Sequence, residues 1–185
     1  MPLRVLHRVV GGLFYAGYRL VGYRKKVVIQ NLRNSFPELP ESEIRSHTRA
    51  FYRHLADVAS EYIYLMRPWR KGIRQMVSMP DDSVRLLNEF HANKQAVILV
   101  MGHQGFWETI GPSLFFNAEM PAVPVYRTLK NKAFDQLFIE KRGYFSLDLI
   151  TQSQVARRTT MMLKQEQVFA LLLLADQSPK KEHIT

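Results

Sequence analysis

The 185-residue sequence has no cysteine. That removes disulfides, thiolate zinc sites and a cysteine nucleophile, and it fits a reducing compartment. There is no acidic residue before Glu38, although Arg4, Arg8, Arg19, Arg24, Lys25, Lys26 and Arg33 all fall in that stretch. Long apolar runs are scarce there too. The longest uncharged stretch, Val9–Tyr18, has ten residues, about half of the ~20 that a bilayer-spanning helix needs. GxSxG, GxGxxG and GxxxxGK[ST] are all missing, which leaves the hydrolase nucleophile elbow, the dinucleotide fold and the phosphate loop without support.

What is present is strongly basic: 26 Lys+Arg against 16 Asp+Glu give a net charge of +10. Such a balance points to an anionic partner, either nucleic acid or a membrane surface. No nucleic-acid reading motif accompanies the charge, so no nucleic-acid partner is expected. The segment LFYAGYRLVGY (residues 13–23) interleaves Tyr, Leu and Val with arginine. This suits a helix lying in the headgroup layer of an anionic membrane, with its cations snorkelling to water. Residues 1–37 therefore read as a basic, membrane-associated segment and 38–185 as a separate domain.

Within 41–66, Ile44, Thr48, Phe51, Leu55, Val58, Tyr62 and Leu65 recur at spacings of three and four, the pattern of one buried helix face. Pro40 marks its start and Pro68 its end. Beyond it, helix 81–92, strand 96–101, helix 106–117, strand 122–127, helix 131–142, strand 146–150, helix 153–165 and strand 167–174 alternate. That alternation predicts an α/β fold with a largely parallel sheet and flanking helices. Chemistry in such sheets gathers beyond the carboxyl ends of the strands, which here carry Gly102-His103, Tyr126-Arg127 and Ala175-Asp176-Gln177.

The stretch VILVMGHQGFWE (97–108) is the most informative. On one continuous helix, His103 and Glu108 would diverge by about 140°. They meet only if the histidine sits in the turn after a strand and the glutamate in the first turns of the next helix. Gly102 and Gly105 permit that turn. A carboxylate on one ring nitrogen would fix the tautomer and make the other nitrogen a better base, for a reaction whose nucleophile is the substrate's own hydroxyl. Arg127 suits bidentate contact with an anion, while Asp176 is equally a turn residue or a site residue. His7, His47, His54, His91 and His183 lack the spacing and carboxylate partners of a metal site, and no metal is expected.

Four segments in order, RKKVVIQNLRNSFPELPESE (24–43), GHQGFWE (102–108), VYRTLKN (125–131) and LLADQSP (173–179), resemble the lipid A biosynthesis (late) acyltransferases. These lie within the wider glycerol-phosphate and lysophospholipid acyltransferase group with its HX4D/E motif. The resemblance implies an enzyme at the cytoplasmic face of the inner membrane. It would move a fatty acyl chain from acyl carrier protein to a hydroxyl of a phosphorylated glycolipid, with no cofactor. It also implies His103 as general base, Glu108 as its orienter, Arg127 as a phosphate contact, and Asp176 and Gln177 beside the site. The chain departs from the family at Phe106, where Asn is frequent, and at Ser146, near a usual Gly. Two other readings are a lysophospholipid acyltransferase and a non-catalytic membrane-binding fragment.

QVFALLLL (167–174) reads as a central strand, and a mostly polar segment, ADQSPKKEHIT, follows it to Thr185. The resemblance covers the family's N-terminal three-fifths, so the domain is expected to be incomplete at its C-terminus. A strand buried on both faces but short of neighbours exposes apolar surface and a backbone edge. Residues 1–185 are accordingly expected to be poorly soluble without detergent and inactive, and extension to the family's length to restore both. Size-exclusion and acyl-transfer measurements on the two lengths check this.

Overall fold

The computed structural model describes residues 3–65 and 73–177. Pro68 and residues 178–185, which figure in the reading above, lie outside the described residues. The chain forms two compact units, Met1–Pro68 and Trp69–Thr185.

The first unit is helical. Helix α1 (Leu3–Leu6), a π-helical stretch (His7–Gly11) and α2 (Gly12–Val21) follow one another without a break in helical backbone. A turn with Gly22 and Arg24 at positive φ leads into α3 (Lys25–Ser35), and α4 spans Glu41–Leu65. Glu41 and Glu43 sit at the positive end of α4, where acidic side chains are stabilising. The buried line of α4 runs every fourth residue through Ile44, Thr48, Tyr52, Ala56, Ser60 and Tyr64, while Phe51 is exposed.

Of the expected face Ile44, Thr48 and Val58 are buried, but hydrophobicity does not pick out Tyr52, Ala56, Ser60 and Tyr64, and half of the line is small or polar. Small residues let a neighbouring backbone approach, and a Cβ built on Gly11 would stand 3.5 Å from Ser60 Oγ. The hydroxyls of Thr48 and Ser60 donate to the carbonyls of Ile44 (2.7 Å) and Ala56 (2.9 Å), so neither is buried unsatisfied. Among the described residues no helix is long and apolar enough to cross a membrane.

The second unit is α/β. Helix α5 (Asp81–Ala92) precedes β1 (Val97–Met101), and a 3-10 turn (Trp107–Thr109) leads into α6 (Ile110–Asn117). Strand β2 (Ala122–Tyr126), α7 (Lys132–Gly143), β3 (Ile150–Thr151), α8 (Val155–Lys164) and β4 (Ala170–Leu174) follow. The four strands are all parallel, in the order β1-β4-β2-β3. Strand β4 thus enters between β1 and β2, and its alternating side chains feed two cores. Ala170 and Leu172 pack with Leu87, Leu114, Met120 and Ala122. On the other face Leu171 packs with Val123, Ile150, Met162 and Phe169. Strand β3 is shorter than the expected 146–150 because Ser146 takes a left-handed φ of 51° and Asp148 is held by Arg158 at 2.9 Å.

Leu114 is fully buried, whereas Leu86 is 52% exposed. Leu114→Ala should cost about 2–5 kcal/mol, and Leu86→Ala no more than about 0.5 kcal/mol. Denaturant unfolding of the two variants beside the parent chain measures both.

Candidate active site

The site begins with strand register. Met101 of β1 stands opposite Leu174 of β4, and the Ala175 N–H donates to the Met101 carbonyl at 3.0 Å, carrying the ladder one step past the strands. Two residues beyond each strand end come His103 and Asp176, side by side although 73 positions apart in sequence. The His103 backbone N–H donates to Asp176 Oδ2 at 2.8 Å, and ring Nδ1 lies 2.6 Å from Asp176 Oδ1. An ionised carboxylate only accepts, so Nδ1 carries the proton in this pair.

Both bonds hold the Asp176 carboxyl below its ordinary pKa, the ring bond most and the backbone N–H next. Gly102 makes the approach possible, since a Cβ there would come within 3.3 Å of Asp176 Oδ2. The Gln177 amide nitrogen approaches Nδ1 at 3.5 Å, which is contact distance and not a good hydrogen bond. Trp107 presents its ring edge-on to the imidazole, 4.8 Å between centroids at 70°. Nε2 of His103 has no hydrogen-bond partner among the described residues, and the side chain is 31% exposed. The arrangement is an oriented base whose second nitrogen is unpartnered among the described residues.

Glu108, expected on the ring, is held elsewhere. Arg142, in the last turn of α7, donates from Nε to Glu108 Oε2 at 3.2 Å and from a terminal nitrogen to Oε1 at 2.7 Å. The pair is well covered, with 21% and 12% of the two side chains exposed. The Arg142 guanidinium also lies over the rings of Phe138 and Tyr126, at 5.6 and 5.8 Å. The reason is local. Gly105 turns the chain at φ +61°, and the Thr109 hydroxyl donates to the Phe106 carbonyl at 2.7 Å, fixing a tight 3-10 turn. That turn brings Trp107 to the histidine and Glu108 to α7.

Arg127 is exposed just past β2, on the same edge of the sheet, with no ion pair among the described residues. The loop that carries it is well built. The Leu129 N–H donates to Asp135 Oδ1 at 2.9 Å, and Asn131 caps α7 by accepting from Ala133 and Phe134. Sequence reasoning found His103, Arg127, Asp176 and Gln177 as strand-end residues, but neither the direct His103–Asp176 bond nor Arg142. A basic residue ending a helix gives no sign that its partner lies 34 positions earlier. Among the described residues no group of three or more His, Asp or Glu is placed to hold a metal ion.

The family model described as bacterial lipid A biosynthesis acyltransferase matches residues 1–184 of the chain. A comparison with curated proteins gives no match.

The Asp176 carboxyl has a lowered pKa in the folded chain, so its bond to His103 is intact above the ordinary value of 3.8. The bond disappears only as pH falls through the still lower folded value. With Asp176 ionised, the ring proton facing it should sit on Nδ1. Nitrogen NMR of the ring should find that tautomer, and Asp176→Ala should release the preference. A parent ring protonated mainly at Nε2 would contradict the pairing.

Proposed function

Since the chain belongs to the bacterial lipid A biosynthesis acyltransferases, enzymes that transfer acyl groups, we propose that it moves a fatty acyl chain from acyl carrier protein to a hydroxyl of a phosphorylated lipid A precursor. The observation that carries the mechanism is the bonded pair of His103 and Asp176 at the carboxyl edge of the sheet, with Nε2 unpartnered among the described residues.

Nε2 takes the proton of the acceptor hydroxyl as its oxygen attacks the thioester carbonyl. Asp176 keeps Nδ1–H in place and stabilises the imidazolium. Collapse of the tetrahedral intermediate breaks the carbon–sulfur bond, and the thiol leaves with the proton returned from Nε2. The products are an ester and the free thiol of the carrier. The thioester is already activated, so base catalysis and charge stabilisation account for the step.

Glu108 enters this scheme as a positioning residue. Tied to Arg142, it holds the turn that sets Trp107 against the histidine. Arg127 is assigned to a phosphate of the acceptor and Gln177 to the rim of the site, on the support of their place at the same strand ends. The net charge of +10 favours both an acidic carrier protein and a phosphorylated lipid.

The place of work is proposed to be the cytoplasmic face of the inner membrane. The support is the first unit: Val5, Val9, Leu13 and Leu20, spaced by four, four and seven along its N-terminal helices, are all solvent-exposed, and no acid precedes Glu38. Such a helix lies in the headgroup layer without crossing.

Transfer from radiolabelled acyl carrier protein to a tetra-acylated precursor, measured on the chain extended to the family's length, tests the scheme. His103→Ala should lower the rate about 10²–10⁴-fold with folding intact. Asp176→Asn should cost more than Glu108→Gln, because only the aspartate is bonded to the ring. If Glu108→Gln proved the more damaging in folded protein, the ring's working carboxylate would be Glu108 instead. Full activity in His103→Ala would remove the mechanism altogether.

A further inference from the structure

The first helical unit contains a cavity of about 200 Å³ between α2, the Gly22 turn, the start of α3 and α4. Four cations line it: Arg19 from α2, Lys25 from the first position of α3, and Arg45 and Arg49 one turn apart on α4. No carboxylate does. Of this unit's five acids, Glu41 pairs with Arg33 at 2.8 Å and Glu61 with His7 at 3.7 Å, while Asp57 stands beside Gly11. Arg45 helps to lower the Glu41 carboxyl's pKa but forms no ion pair with it. None of the four lining cations has an ion pair among the described residues.

The cavity is built, and is not a chance gap between mobile side chains. Tyr52, in its floor, is 2% exposed, and its hydroxyl donates to the Tyr23 carbonyl at 2.9 Å. That bond pins the turn from which Lys25 projects. Tyr15 lines the same cavity, with the Arg53 guanidinium 5.9 Å from its ring centroid. The four cations are solvent-exposed, and an anion seated among them would gain favourable Coulomb energy from each.

Next in sequence to the lining residues Arg19 and Gly22, Leu20 is 87% exposed, Val21 79% and Tyr23 60%. The volume lies below the roughly 300–1,000 Å³ that engulfs a drug-sized ligand, so it suits a headgroup whose chains remain outside. We infer that this cavity binds the phosphate monoester headgroup of a membrane lipid. A monoester carries about −1.5 to −2 charges at neutral pH, which suits four converging cations better than a phosphodiester's single charge. The inference stands apart from the acyl-transfer reading and needs no catalysis to test.

The experiment is co-sedimentation of the full chain with phosphatidylcholine vesicles doped with phosphatidic acid or phosphatidylglycerol, adjusted to equal surface potential. The parent should bind the monoester vesicles several-fold more tightly. Arg45→Gln/Arg49→Gln should bring that ratio to about one, while Arg4→Gln/Arg8→Gln, equal in charge loss but outside the cavity, should keep it. Circular dichroism melts establish that each variant is folded, and Lys25→Gln replaces the double variant if it is not. Inorganic phosphate in a further arm distinguishes the two sources. Displacement of the chain from monoester vesicles at low millimolar phosphate would make the free ion the ligand and overturn the headgroup assignment. An equal loss of the ratio in both double variants, or no selectivity in the parent, would reduce the four cations to general surface charge and overturn the site.

Discussion

The parallel pairing of β1 with β4 is the constraint on which the second unit depends. Its register, Met101 opposite Leu174, decides which residues emerge together at the carboxyl edge, and a slip of one position would turn every β4 side chain to the wrong face. The same pairing fills both cores, because Ala170 and Leu172 face one and Leu171 the other. The site thus adds little independent structure of its own. Beyond Gly102, Gly105 and the Phe106–Thr109 turn, the fold that buries apolar surface also supplies the base and its carboxylate.

Much of this was legible in the sequence. AVILVM, AVPVYR and QVFALLLL are dense apolar runs bounded by polar or glycine residues, and each became a parallel strand. His103 and Asp176 stood out because strand ends are where α/β chemistry gathers. Their direct bond did not, since neighbours in a sheet follow from strand order, and nothing local says that the fourth strand enters beside the first. Glu108 misled for the complementary reason. Its five-residue spacing from His103 permits contact, but the tight turn at Phe106–Thr109 and a guanidinium from α7 draw its carboxylate aside.

In the first unit, hydrophobic spacing located α4 but only part of its buried line. Tyr52, Ala56 and Ser60 lie inside while Phe51 and Ile63 lie outside. Close approach of the N-terminal helices selects small side chains, and a hydropathy pattern scores those low. Charge was more informative. Ten basic residues against five acidic ones within residues 1–65 indicated an anionic partner, but only the folded helices gather four of the cations around one cavity.

The strand order also fixes a sequence of assembly. Strand β4, the last of the four described strands in sequence, lies between β1 and β2, which have no direct strand pairing with each other among the described residues. As residues emerge in order during synthesis, His103 is present long before it has a carboxylate, and the gap between two apolar strands stays open until residue 176 is free to fold back. Long-range parallel pairing of this kind is slow and leaves apolar edges exposed meanwhile. The oriented base is thus formed and the sheet gap closed by the same event, the insertion of a single five-residue strand.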